Sequence, residues 1–451
     1  MSLNRRDFVA SVGLSFVGAA AARAARADQP APAAVPVLDA GSDWAAVKAQ
    51  FDRLSPEWLH FSQFYIVSHP KPVRESIEHF RQLLDDNPFL TTEHGMGFTG
   101  FFGEEVKELP YPDRVTHAAA KYVGGQPKEI ALTDSTTEGL ALIYNGLILK
   151  PGDEILCTTH DHYVHHEAAR MAAEKAGASW RRAPLYDDPA TATADEIVGN
   201  LKSAIRPETR VIGITWVHSS TGLKIPVHAL TQMVAAVNAG RDEKDRILVV
   251  LDAVHGFGNQ EAQVAQLGAD FVAVSTHKWI FAPRGTGLVW VPEKNWGRIR
   301  PTIPTFYDAE PFVAWEDARA PKIVGATWLS PGGFKAFEHQ WAATSAFEFH
   351  ERIGRKRIAD RIAALNTQCK EGLAKIPGVT VLTPMDPALS AGIIAFEVEG
   401  QTAGETVEKL LQRKVIASTS PYKDVKARLA PSLVNDEREV EAALKALREV
   451  V

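Results

Sequence analysis

Ile247-Leu248-Val249-Val250-Leu251-Asp252-Ala253-Val254-His255 and, further along, Phe271-Val272-Ala273-Val274-Ser275-Thr276-His277-Lys278-Trp279 are apolar, mostly β-branched runs that end in polar residues. A strand apolar on both faces belongs inside a sheet covered on both sides, the habit of parallel sheets. Glu154–Thr158, Arg210–Val217 and Gly287–Val291 read the same way. Amphipathic stretches lie between the runs, at Thr137–Leu149, Tyr163–Ala176 and Val227–Ala239. This alternation predicts βαβ units and an α/β fold with a mainly parallel sheet sandwiched by helices. The carboxyl ends of such strands border the ligand crevice. Asp252, His255, Ser275, His277 and Lys278 would then share one edge.

The residues on that edge have a chemistry in common. Asp252 is costly to bury unless something pairs with it, and a protonated aromatic nitrogen is one such partner. A helix-capping role is the alternative. Lys278, set between His277 and Trp279, would be partly desolvated, which lowers the pKa of an amine towards that of a useful nucleophile. A solvated surface lysine would leave those aromatic neighbours unexplained, and also the turn Arg284-Gly285-Thr286-Gly287. Thr133-Asp134-Ser135-Thr136-Thr137-Glu138-Gly139 precedes a helix and offers hydroxyls and free N–H groups to an anion such as phosphate. The same residues also spell a capping box, Ser135 to Glu138. Asp161-His162-Tyr163-Val164-His165-His166 places aromatic rings after a strand. A zinc site is the competing reading of its three histidines.

Elsewhere the chain sets limits. It has 451 residues and a net charge of −6, with no basic run, which speaks against a nucleic-acid partner. Two cysteines, Cys157 and Cys369, cannot make a disulfide framework. Asn4-Arg5-Arg6-Asp7-Phe8-Val9, the apolar stretch Val9–Ala22 and Ala25-Arg26-Ala27 follow the order of a twin-arginine export signal. That apolar stretch is too short to span a bilayer comfortably. The expected layout is a signal over 1–27, a linker and N-terminal segment over 28–57, a large domain over 58–330 and a small C-terminal α+β domain over 331–451. Asn435 is a plausible start for the last helix.

Taken together, these motifs resemble the class V aminotransferase-fold family of fold-type I enzymes that use pyridoxal 5′-phosphate (PLP). The likeness runs from about Trp58 to the C-terminus and leans towards isopenicillin N epimerase-like and cysteine desulfurase-like members. With its export signal, the chain also resembles the periplasmic PLP enzymes that tailor pyoverdine siderophores. The resemblance implies that Lys278 holds the cofactor as a Schiff base, that Asp252 meets the pyridine nitrogen and that His255 bonds the ring hydroxyl. It assigns the phosphate to Thr136 and Thr137, with Ser275 and His277, beside Ser135. Tyr163 would stack on the ring, with His162 as the second choice. Arg428 would clamp the substrate carboxylate, while His218, Ser219 and Tyr65 line the substrate side. A homodimer is implied, with Thr327 as the residue lent across it. The chain departs from desulfurases in Ile416-Ala417-Ser418-Thr419-Ser420-Pro421-Tyr422, which has no cysteine, and in offering Ser219 where they carry an asparagine. The expected activity is transamination or oxidative deamination of a primary amine in the periplasm. The alternatives are C–S lysis or epimerisation of an amino acid, and a catalytically silent binding protein.

Overall fold

The computed structural model describes residues 38–39, 41–97 and 109–451. The export segment read over 1–27, and the linker as far as residue 37, lie outside them. Strand β1 is Leu59–His60, and the main sheet follows. Its strands are β2 (Ile130–Thr133), β3 (Glu154–Thr158), β4 (Ser179–Ala183), β5 (Thr209–Thr215), β6 (Leu248–Asp252), β7 (Phe271–Ser275) and β8 (Gly287–Trp290). They are ordered β2-β8-β7-β6-β5-β3-β4. The pairs among β7, β6, β5, β3 and β4 are parallel. β8 runs antiparallel between β2 and β7.

β5, β6 and β7 are buried almost throughout, because helices cover both faces of the sheet. Two strands of the main sheet went unread in the sequence. β4 is a polar edge strand, Ser-Trp-Arg-Arg-Ala, with little buried surface. β2 is only four residues long. Both lack the long apolar run that marks a central strand.

The region from Phe334 to Ile376 forms two helices, Phe337–Ile353 and Arg355–Ala374, parted at Gly354, whose φ is +95°. Ala343, Ala346 and Phe347 of the first join the main-sheet core. Leu365, Cys369 and Leu373 of the second join the core of a smaller sheet. That sheet is antiparallel and is built from β9 (Val379–Val381), β10 (Ile394–Val398), β12 (Ser418–Thr419) and β13 (Ala427–Leu429), in the order β12-β13-β10-β9. The last helix, Glu437–Arg448, is capped by Asp436 rather than Asn435, because Asp436 and Glu439 form the reciprocal capping box.

Two sutures tie the small-sheet side to the rest of the chain. β1 pairs in parallel with β11, Val415–Ile416, and the Ala430 N–H donates to the Phe61 carbonyl at 2.9 Å. The turn after β5 meets the small-sheet side through Thr383 Oγ1, which donates to the Thr221 carbonyl at 2.6 Å, and through the Lys224 N–H, which donates to the Leu389 carbonyl at 2.9 Å. Gly222 (φ +71°) lets that turn pass against the backbone of Ile393. Among the described residues no helix is long and apolar enough to cross a membrane.

Candidate active site

The strand ends of the main sheet and the edge of the small sheet enclose one cavity of about 650 Å³. Asp252, the last residue of β6, is 1% exposed and accepts the Val254 N–H on Oδ1 at 3.0 Å. Burial raises its carboxyl pKa above the usual range, the mark of an acid that lacks a full partner. Lys278 follows β7, and burial lowers its pKa to about 8, against the pull of Asp252. Its Nζ lies 3.4 Å from His255 Nε2. The Trp279 indole N–H donates to His255 Nδ1 at 3.4 Å, and Phe64 meets the same imidazole edge-on at 5.7 Å. Burial pushes His255 well below its ordinary pKa, so it is a neutral ring held between two aromatic side chains and an amine.

At one end of the cavity is a cradle of hydroxyls. Ser135 caps the helix Thr136–Gly146, accepting the Glu138 N–H at 3.2 Å. The Glu138 carboxylate bonds the Asp134 N–H rather than that of Ser135. The Thr136 N–H donates to Ser275 Oγ at 2.7 Å, and the Thr136 hydroxyl lies 2.9 Å from the same oxygen. Thr137 and His277 complete the lining there, with His277 Nδ1 3.1 Å from the Thr286 carbonyl. A helix N-terminus ringed by hydroxyls suits a phosphate.

Arg428, on β13, closes the other side. It is 4% exposed, and burial lowers its pKa to about 10. Nη1 donates to the Ser219 carbonyl at 2.8 Å and Nη2 to the Thr419 carbonyl at 2.7 Å. Its guanidinium sits over the Phe64 ring at 4.8 Å. No carboxylate among the described residues pairs with it. A buried cation without a counter-ion calls for an anion from outside the chain.

Several residues picked out in the sequence stand elsewhere. Tyr163, the first choice for the ring, is 67% exposed and does not line the cavity, whereas His162 does. The cause is the helix start: His162 is the N-cap, with extended backbone, and Tyr163 is the first helical residue and faces solvent. Burial lowers the His162 pKa to about 4, leaving a neutral ring suited to stacking. His218, assigned to substrate, is fully buried behind the wall, with Nδ1 2.8 Å from the Tyr186 hydroxyl. The turn that begins at His218, whose carbonyl accepts the Gly222 N–H at 2.7 Å, brings Ser219 to the cavity and leaves His218 behind it. Tyr65 lines the cavity at its mouth, 64% exposed. Thr327 lies on the turn Ala326–Leu329, outside the lining of this chain.

The three histidines of the zinc reading part company. His162 turns to the cavity, His165 to Tyr144 and Thr215, and His166 to the Thr158 carbonyl. Among the described residues no cluster of three His, Cys, Asp or Glu side chains could hold a metal. Both cysteines are buried away from the cavity.

Residues 113–420, more than half the chain, match the family model "Aminotransferase class-V". The chain belongs to the class V aminotransferase family. It is a PLP-dependent enzyme of fold-type I. Among its relatives, the isopenicillin N epimerase of Streptomyces clavuligerus is 28% identical over 325 residues, 69% of this chain and 77% of that protein. The epimerase of Amycolatopsis lactamdurans is 27% identical over 292 residues, 62% and 69% of the two chains. In structure, the chain superposes on the cystine C–S lyase C-DES with a TM-score of 0.77, at 21% identity, over 89% of this chain and 100% of that one. An apo cysteine desulfurase from Thermococcus onnurineus gives a TM-score of 0.72 at 20% identity, over 94% and 99% of the two chains. At that identity these two structures speak for the fold alone.

The class V cofactor fits the residues present. A buried carboxyl with a raised pKa suits a pyridinium nitrogen, a hydroxyl-ringed helix start suits the phosphate, and a desolvated amine suits the aldehyde.

Proposed function

We propose that this is a periplasmic enzyme that transaminates or oxidatively deaminates a primary amine of an amino acid or a peptide-derived metabolite, siderophore tailoring being one instance. When bound, PLP supplies an electron sink for charge left at the substrate carbon. The Asp252 carboxylate would hold the ring nitrogen protonated. Arg428 would fix the substrate carboxylate, and His162 would cover the ring. Lys278 would take the proton from the carbon and return it nearby, being tethered within reach.

The observation that carries this reading is that Lys278 is the one amine lining the cavity among the described residues, the Arg428 guanidinium staying protonated. Burial holds His162, His255 and His277 below their ordinary pKa. A single base moves a proton between two neighbouring atoms on one face, which is the need of transamination; inversion needs proton delivery to the opposite face as well. Export rests on the twin-arginine pattern at Arg5-Arg6. Epimerisation is the second reading, favoured by the epimerases among the relatives.

The test is a screen of primary amines against the PLP-loaded protein in D2O. Transamination predicts bleaching of the visible band, the aminated cofactor and a keto product by mass spectrometry. Inverted amino acid carrying deuterium at Cα would replace this reading with epimerisation. Pyruvate released from cystine would replace it with C–S lysis.

A homodimer belongs to the same proposal. Phe306, Phe312, Trp315, Val324 and Phe334 stand exposed within one stretch of sequence, with Phe306 against Phe334 and Phe312 against Trp315, and exposed aromatic pairs of this kind suit a partner surface. Sedimentation of the holoenzyme should give one species of twice the chain mass. A monomer at working concentration would remove Thr327 from the proposed site.

A further inference from the structure

Behind the cavity wall, on the loop between β12 and β13, stands Tyr422. Its hydroxyl lies 2.8 Å from Ser219 Oγ, and its ring meets His162 edge-on at 5.8 Å. The next strand carries Arg428, whose Nη1 donates to the carbonyl of the same serine. Ser219 is thus gripped twice, through its carbonyl by the guanidinium and through its hydroxyl by the phenol. Burial pushes the Tyr422 pKa up, so the phenol keeps its proton at any working pH.

The count of donors is informative. Two hydroxyls carry two protons, and one is spent on the bond between them. Neither hydroxyl has another hydrogen-bond partner among the described residues. Ser219 and Arg428 line the cavity, while Tyr422 stands behind them. Either oxygen can be the donor of that bond, and where the phenol donates the serine O–H is left unspent on the cavity side. It neighbours a buried guanidinium that lacks a carboxylate partner.

We propose that Tyr422 is a positioning residue for substrate specificity: by donating to Ser219, it turns the serine hydroxyl into a second donor, beside Arg428, for the carboxylate of the amine substrate. This rests on the reading of Arg428 as the carboxylate anchor. A hydrogen bond to a charged acceptor changes affinity by about tenfold or more. The pair would separate amino acids from simple amines more sharply than the arginine alone.

Tyr422→Phe keeps the ring against His162 and removes only the hydroxyl. The probes are L-alanine and ethylamine, which differ by the carboxylate. Each is titrated against the PLP-loaded full chain, with Kd read from the visible band of the cofactor. Tyr422→Phe should weaken L-alanine about tenfold and ethylamine less than twofold. Ser219→Ala should do the same, and the double variant should do no more than either alone. A merely structural tyrosine would weaken both probes together, and that result overturns the proposal, as would additive losses in the double variant. Arg428→Gln separates the two layers of the argument. If it leaves the ratio of the two Kd values at the wild-type figure, the carboxylate reading falls and the proposal falls with it. If it collapses the ratio while Tyr422→Phe does not, the proposal alone falls.

Discussion

Lys278→Ala is expected to give a protein that lacks the internal-aldimine band, that borohydride cannot tie to its cofactor and whose turnover is lower by about 10⁴-fold or more. The reasoning starts from burial. An amine in water stays protonated well above neutral pH and is a poor nucleophile. Burial brings Lys278 down to about 8, so a useful fraction is neutral under ordinary conditions. No other lysine lines the cavity among the described residues. Its loss removes both the covalent tether and the one amine base of the cavity. The hydroxyl cradle and Asp252 remain, so the variant should still bind PLP reversibly. Intact-mass analysis after borohydride reads the result directly. A reduced adduct on the variant would move the attachment to another lysine. For the wild type the sign of the pH effect follows from the same group. Capture of PLP needs the neutral amine, so its rate should climb as pH rises towards about 8 and level off above.

Asp252→Asn should keep the colour and lose the chemistry. The amide fills the same space but does not hold a ring nitrogen protonated, and turnover should fall by about 10³-fold. The empty protein should respond in the opposite direction. The Asp252 pKa is raised in the fold, so this group supports the folded state at low pH and opposes it as pH climbs through the folded value. The asparagine variant without cofactor should therefore melt above wild type at neutral pH, and the gap should close in acid. Calorimetry with and without PLP checks both halves. A variant that turns over at the wild-type rate would remove Asp252 from the ring nitrogen.

What the sequence revealed of this site, and what it hid, follow from local geometry. Asp252 and Lys278 were legible because each closes an apolar run, and in a parallel sheet that position alone fixes the side of the molecule they face. The errors beside them are errors of one residue. Tyr163 follows His162 across a helix start, and Ser219 follows His218 into a turn, and in each pair that single step decides which side chain reaches the cavity. Tyr422 gave no signal, because its meaning lies in a partner 203 residues away. Gly213, a glycine inside β5, looks like a weakness of that strand; there the Tyr144 hydroxyl and His165 Nε2 crowd the space a Cβ would take.

The pairing of β1 with β11 has a consequence for biosynthesis. Leu59–His60 finds its partner only when Val415–Ile416 has been made, and Phe61 waits for Ala430. Phe64 and Tyr65 follow this strand directly, and Arg428 arrives with β13. One wall of the cofactor chamber is thus spelled out near the start of translation and its facing wall near the end. Contacts so distant along the chain close slowly and late. A ribosome that has finished the main sheet still carries an open crevice, and PLP capture in the mature geometry awaits the last stretch of synthesis. Chains truncated before the small sheet should emerge without firmly held cofactor, however well their main sheet has formed.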